Sequence, residues 1–293
     1  MSVTLLAEPD PMTGLQTAQG CPRDFLDNRF VYVVVSSRAQ GLSLGVNMNP
    51  DRYCNFDCAY CEVGRHSTPL HRTLDVDVMA GELRHTLDYV LSGEIRMRSV
   101  FADLPPALLR PKHVALSGDG EPTLSPMFEE AVEAVVHLRA RGLTPFFKMV
   151  LVTNGTGLDL PAVSRGLRFF TSGDDIWVKL DVGTQSYMDR VNRSEVPLKK
   201  VLANILALGR QRSITIQSLF PSIEGVPPSA EEIAAYVQRI KELRDAGARI
   251  SNVQIYSATR PTPHSGCGHL PLRTLSRIAL AVRQSTGLQV DVY

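Results

Sequence analysis

Three thiols lie within one short run, Cys54-Asn-Phe-Asp-Cys58-Ala-Tyr-Cys61, spaced C-x-x-x-C-x-x-C. Thiolates are soft ligands that suit iron–sulfur clusters and zinc. A [4Fe-4S] cubane has four irons, whereas this loop offers three thiolates. One iron is therefore left without a protein ligand unless Cys21 or Cys267 reaches it. An open iron is a place for a cofactor or substrate to coordinate, by the logic that separates catalytic from closed metal sites. One alternative is a structural zinc site in an interaction protein. Zinc normally completes its tetrahedron with pairs of Cys or His; here the next His is His66, and there is no second C-x-x-C. Another is a reactive-thiol or chance cluster. An iron–sulfur centre could also serve a non-catalytic binding or electron-transfer module.

Further candidates stand where apolar runs end. Ala115-Leu-Ser-Gly118-Asp-Gly120-Glu121-Pro122 places glycines for close backbone approach, or for an ordinary turn. Val152-Thr-Asn154-Gly155 follows the next run, and Asn154 tolerates a left-handed turn. Trp177-Val-Lys179-Leu-Asp181 alternates, which sets Trp177, Lys179 and Asp181 on one face of a strand. A buried Lys and Asp are costly unless paired with each other or used on a ligand. Gln217, Gln254 and Tyr256 take similar positions later. His264-Ser-Gly-Cys267-Gly-His269 reads as a substrate loop, a second metal ligand or an incidental Pro/Gly loop. In the first reading Cys267 donates hydrogen to a substrate radical. Arg190, Arg193, Lys199, Lys200, Arg210 and Arg212 form either a solvated face or contacts to a phosphate-bearing substrate.

The elements that must position these residues alternate. Strands are expected over Val31–Ser36, Leu42–Met48, His113–Ser117, Met149–Thr153, Ile176–Asp181, Ile214–Phe220 and Val253–Ser257, apolar on both faces like buried parallel strands. Helices are expected from Asp77 to about Gly93, from a Ser125 cap with Pro126 at the first position to Gly142, after the Ser229-x-x-Glu232 capping box to Gly247, and from Leu272 to Gly287. From Leu42 onward this makes six strand–helix units. Right-handed crossovers then give an α/β fold with a parallel sheet, a partial (β/α)6 TIM-like barrel. Function in such barrels sits at the C-terminal strand ends, where the motifs above fall. Residues 1–28, Pro- and Gly-rich without clear period, read as a mobile N-terminal arm, and 29–293 as one domain.

The chain has 293 residues, 44% of them hydrophobic, with a formal net charge of +1. That balance carries no general polyanion-binding footprint. No apolar run reaches bilayer length, so no membrane partner is expected. The opening MSVTLLAEPDP lacks a signal-peptide pattern, and five cysteines, an odd number with three clustered, suit metal binding in a reducing compartment. The expected location is cytoplasmic.

The C-x-x-x-C-x-x-C run, with aromatic Tyr60 before the last cysteine, resembles the signature of the radical S-adenosylmethionine (SAM) superfamily. Gly118-Asp-Gly120-Glu121-Pro122 resembles that family's Gly-Gly-Glu-Pro motif, with Asp119 inserted, and Thr153-Asn-Gly155 is also common there. Leu42-Ser-Leu-Gly-Val-Asn-Met-Asn-Pro50, Ser117-Gly-Asp-Gly-Glu-Pro-Thr123 and Lys179-Leu-Asp181 followed by Asn192-Arg193 look closest to the wybutosine-synthesis group, which forms a tricyclic ring on tRNA. That group carries extra upstream cysteines for a second cluster; here only Cys21 lies upstream. The resemblance implies that SAM chelates the open iron and is cleaved reductively to a 5′-deoxyadenosyl radical, which takes hydrogen from a substrate. It places Tyr60, Gly118, Gly120 and Asn154 in the SAM site; Lys179 and Asp181, pointing into the barrel, are candidates for contact with SAM or with substrate and for catalysis, and Gln217 and Tyr256 are further cofactor-binding candidates. Glu121 then supports the backbone, and an adenine-facing backbone lies near Ile255–Tyr256. An external flavodoxin or ferredoxin is implied as reductant. The substrate stays open among RNA, a peptide and a phosphorylated metabolite.

Overall fold

The computed structural model describes residues 25–36, 38–64, 71–142, 146–258 and 264–293. Runs rich in Val, Ile and Leu become strands because branched side chains fit a pleated surface buried on both sides. In chain order they are β1 (Val31–Ser36), β2 (Gly41–Asn47), β3 (Pro111–Ser117), β4 (Lys148–Thr153), β5 (Asp175–Lys179), β6 (Ile214–Leu219), β7 (Ser222–Ile223), β8 (Ile250–Tyr256), β9 (Cys267–Gly268) and β10 (Val290–Val292). The helices are α1 (Val76–Leu91), α2 (Ser99–Ala102), α3 (Phe128–Ala140), α4 (Pro161–Gly166), α5 (Gln185–Val191), α6 (Leu198–Gln211), α7 (Ala230–Asp245) and α8 (Leu272–Thr286).

One sheet runs β1-β2-β3-β4-β5-β6-β8-β10. β1 is antiparallel to β2; every other pair is parallel. The six expected units are present, and β10 adds a seventh parallel strand beyond them. β7 and β9 form a separate antiparallel ribbon.

Strand alternation divides the sheet into two faces. Leu44, Val46, Val114, Leu116, Leu151, Ile176, Val178, Ile216, Val253 and Ile255 are fully buried. Burying a side chain of this kind is worth about 1.5–3 kcal/mol, so this face carries much of the fold's stability. The other face is more polar: Ser43, Asn47, His113, Gln217 and Gln254 are also buried there. It is the face that turns toward the motifs.

Several boundaries move. Phe25–Asn28 belong to the body rather than to an arm. Phe25 is buried and meets Tyr89 and Phe101 edge-on, and Asn28 donates to Thr86 Oγ1 at 2.9 Å. Cys21 lies outside the described residues. The third helix starts at Phe128, not after Ser125, because Pro122–Leu124 form a 3-10 turn capped by the Glu121 side chain. Ser229 caps α7 as expected. Glu232 does not close the box but turns away to Gly183 N at 2.5 Å and Thr184 Oγ1 at 2.6 Å, tying α7 to the loop after β5.

His113 illustrates the cost of a polar interior. Its Nε2 meets Ser43 Oγ at 2.8 Å and its ring packs edge-on against Trp177. Burial, with Lys148 and Arg38 adding, pushes its pKa from 6.5 down to about 4. The folded state therefore holds His113 neutral while the unfolded chain protonates near its ordinary value. Stability is expected to be intact above about pH 6.5 and to fall by about 3 kcal/mol as pH drops toward 4. Denaturant midpoints across that range, compared with His113→Gln, check this; an equally steep decline in the variant excludes His113 as its source.

Candidate active site

The chain leaves β2 at Asn47 and forms the cysteine loop against the turn after β3. Met48 N donates to Ser117 O at 2.9 Å and Glu121 N to Tyr53 O at 2.9 Å. Asn47 clamps the turn from both sides: its Nδ2 donates to Asp119 Oδ2 at 2.9 Å and its Oδ1 accepts from Asp119 N at 3.0 Å. The glycines of this turn serve that approach directly. A Cβ at Gly120 would lie 2.0 Å from Tyr53 O, and one at Gly118 would lie 2.2 Å from Asn47 Oδ1. Gly118 also has φ of +130°, which suits glycine alone. The close approach made here is to the cysteine loop itself.

The other side of the loop leans on the end of α5. Asp57 N donates to Asn192 O at 3.0 Å and Ala59 N to Val191 O at 2.8 Å. Cys58 is buried, and Cys54 and Cys61 are half-buried. Two sulfurs receive amide hydrogens. Phe56 N and Asn154 Nδ2 point at Cys54 Sγ, at 3.4 and 3.7 Å, and Asn192 Nδ2 points at Cys58 Sγ at 3.5 Å. Burial pushes the Cys58 thiol up to about 12. A coordinating cation reverses that logic and deprotonates a thiol outright.

Glu121 joins the second and third strand ends. Its carboxylate accepts from Thr123 N at 3.1 Å, Thr123 Oγ1 at 2.5 Å, Thr153 Oγ1 at 2.5 Å and Asn154 N at 2.7 Å. It is 2% exposed, and burial raises its pKa against the pull of these bonds. The carboxylate is wholly occupied by two backbone amides and two threonine hydroxyls, which tie the turn after β3 to the end of β4. Asn154 then reaches across to Asn55 Oδ1 at 2.9 Å, inside the cysteine loop.

Lys179, Asp181 and Tyr60 come together as one group. Tyr60 OH donates to Asp181 Oδ2, Lys179 Nζ lies 3.0 Å from Tyr60 OH and 3.6 Å from Asp181 Oδ2, and Asn192 Nδ2 donates to Asp181 Oδ2 at 2.7 Å. Leu219 N fills Asp181 Oδ1 at 2.8 Å. Burial is the largest single influence and disfavours the Lys179 ammonium, but Asp181, Tyr256 and Cys58 together outweigh it and leave its pKa above the ordinary value. Burial and then Asp181 raise the Tyr60 phenol, so it stays protonated. Asp181 lies two residues past the end of β5, with both oxygens engaged by the protein.

The remaining candidates spread out. Gln217 donates to Gln254 Oε1 at 2.8 Å, and Arg38 stacks 4.6 Å above the Tyr256 ring. The backbone at Ile255–Tyr256 is paired: Tyr293 N takes Ile255 O at 3.0 Å and Phe220 N takes Tyr256 O at 2.9 Å. Cys267 lies in β9 opposite Ile223. His264 in the same loop reaches the cysteine loop, 3.4 Å from Asp57 and 3.1 Å from Arg193.

Residue-level reading gave no site role to Asn47, Asn49, Asn55 or Asn192. All are buried around the loop. Asn47, Asn49 and Asn55 stand beside the cysteines in sequence, and that was the available signal, since buried amides can both accept and donate; Asn192 comes from a distant segment.

The donor set fits an iron–sulfur centre. Three thiols share one loop, amide hydrogens face two of them, and Asn49 Oδ1 is buried beside the glycine turn without a donor. Among the described residues, no three His, Cys, Asp or Glu side chains are grouped to hold a single metal ion.

The fold is a mostly parallel partial barrel with flanking helices. It is shared with Streptococcus suis SuiB bound to S-adenosylmethionine, with a TM-score of 0.60 and 14% identity over 87% of this chain and 52% of that one. It is also shared with TYW1 carrying a lysine-pyruvate adduct, with a TM-score of 0.58 and 15% identity over 89% of this chain and 85% of that one. No family model matches the chain. In sequence it is similar to a UPF0026 protein of Helicobacter pylori strain J99, 27% identical over 231 residues, covering 76% of the chain and 66% of the relative. A UPF0026 protein of Synechocystis is 27% identical over 241 residues, covering 80% of the chain and 77% of the relative. The chain thus spans about two thirds of the Helicobacter relative's length and about half of SuiB's.

Proposed function

We propose that this chain is a radical SAM enzyme, with Cys54, Cys58 and Cys61 as ligands of a [4Fe-4S] cluster. When bound, the cluster and SAM supply reductive cleavage to a 5′-deoxyadenosyl radical that abstracts hydrogen from a substrate. The observation that carries this reading is the three-cysteine loop with amide donors facing Cys54 and Cys58 Sγ. Such donors stabilise negative charge on sulfur and tune a cluster's potential.

The chain's own residues position and shield. Gly118 and Gly120 let the turn after β3 close on the loop, and Glu121 locks that turn to β4. Lys179 keeps its charge beside Tyr60, with part of its side chain exposed, and is the cation offered to an anionic group of SAM. Asp181 holds Tyr60, and thereby the C-terminal side of the loop, to the end of β6. Gln217 and Tyr256 line the neighbouring strand ends. Cys267 is the candidate hydrogen donor to a substrate radical. The electron comes from an external flavodoxin or ferredoxin, and the substrate is an RNA base, a peptide or a phosphorylated metabolite. Among the described residues no helix is long and apolar enough to cross a membrane.

Anaerobically reconstituted protein is expected to contain four irons and, with dithionite and SAM, to release 5′-deoxyadenosine, measured by liquid chromatography. Cluster-loaded protein whose spectrum ignores SAM and yields no product overturns the enzyme reading in favour of an electron-transfer module.

A further inference from the structure

A cleft of about 930 Å³ lies on the helix side of the sheet, against α4, α6 and the first residues of β5, β6 and β8. Much of its lining lies at the N-terminal strand ends, opposite the chemistry proposed above, while Asn204 at one end of the cleft donates to Gly155 O and Thr156 O in the loop after β4. The volume is that of a small-ligand site.

The charges along the cleft do not balance locally. Asp159, Asp174 and Asp175 line it, but each is taken by a cation from elsewhere: Lys200 at 3.2 Å, Arg139 at 2.7 Å and Lys148 at 2.5 Å. Arg168, Arg212 and Arg249 line it as well, and among the described residues none of them pairs with a carboxylate. Arg212 is fixed in the wall. It donates to Thr171 O at 2.9 Å and Leu167 O at 3.3 Å and packs 5.5 Å from the Phe170 ring centroid. Its Nε is buried and meets no acceptor. Arg249 gives one hydrogen to Arg210 O at 3.2 Å and is otherwise exposed, as is Arg168.

Asp174 and Asp175 favour the Arg212 charge from nearby but are themselves bonded to Arg139 and Lys148, so an anion in the cleft would give the three guanidiniums the direct partner they lack. Their planar forks match phosphate oxygens in pairs. A chain of net charge +1 favours a small phosphorylated molecule here over a polyanion. We propose that this cleft binds the phosphate group of a ligand of mononucleotide size, held by Arg168, Arg212 and Arg249. The site is independent of the chemistry proposed for the cysteine loop.

Calorimetric titration of cluster-loaded protein with AMP, inorganic pyrophosphate and a short single-stranded RNA tests it. Arg212 supports the wall, so the variant is Arg168→Ser combined with Arg249→Ser, both exposed and outside the cysteine-loop machinery. AMP or pyrophosphate is expected to bind the parent, and the double variant to bind at least about tenfold more weakly. Its melting temperature and 5′-deoxyadenosine yield should match the parent's. Binding equal in parent and variant, or no binding of either small anion, overturns the proposal. Binding of the RNA alone overturns it too and assigns the arginines to a polyanion.

Discussion

Replacing Cys58 by alanine is expected to abolish cluster assembly and, with it, all 5′-deoxyadenosine formation. Cys58 is the most buried of the three thiols, at 7% exposure, and no other cysteine on the loop can substitute for it. Its backbone neighbours Asp57 and Ala59 are bonded to Asn192 and Val191, so the loop has little freedom to bring a surrogate ligand round. Alanine fits the space, and the fold itself should persist. Iron content and visible absorbance should fall together, while the far-ultraviolet circular dichroism stays unchanged. The informative contrast is Cys267→Ala. A cluster with one open iron needs three protein thiolates, so this variant should retain the parent's iron. Loss of iron from Cys267→Ala would mean a fourth ligand closes the cluster, leaving no corner for SAM. Retained iron with altered product from a substrate is the outcome expected of a hydrogen donor.

Much of this architecture was readable before any coordinates. Parallel strands buried on both faces announce themselves as short Val/Ile/Leu runs, and six of them alternate with amphipathic helices. The seventh, β10, has three residues, too few for periodicity to register, and exists because β8 offers an edge to Val290–Val292. β7 and β9 are shorter still and are defined only by pairing with each other across the chain. Ser125-Pro126 carries a helix-start signature, but Glu121 captures Thr123 N first and the helix waits until Phe128. Tertiary contacts likewise redirected Glu232 from its own cap to Gly183. At the site, cysteine and glycine spacing is local and therefore legible. The glycines' immediate reason, close packing against Tyr53 and Asn47, is a contact between two loops more than sixty residues apart and no spacing rule encodes it. Lys179 and Asp181 were placed on one face by alternation alone. That Asp181 is consumed by Tyr60, Asn192 and Leu219 depends on where three separate segments meet.

Asn192 is where those segments converge, and changing it to leucine should leave the cluster in place but alter its potential. The single amide nitrogen lies 2.7 Å from Asp181 Oδ2, 3.1 Å from Tyr60 OH and 3.5 Å from Cys58 Sγ. Leucine keeps the size and the backbone bonds to the cysteine loop but removes the donor. Hydrogen bonds to charged groups are worth about 1.5–3 kcal/mol, so one lost from the sulfur or the carboxylate is a large local change. With less charge stabilised on Cys58, the reduced cluster becomes harder to reach and its midpoint potential falls. Asp181, short of one donor, also holds Tyr60 less firmly. Product formation is expected to fall at least about tenfold, in proportion to a loss of that size. Asn192→Asp should be worse, since a second carboxylate would stand against Asp181 where a donor now sits. Potentiometric titration followed by electron paramagnetic resonance separates this from simple misfolding: a variant with parental iron, parental stability and an unshifted midpoint would strip Asn192 of any electronic role and leave it a spacer between α5 and the loop.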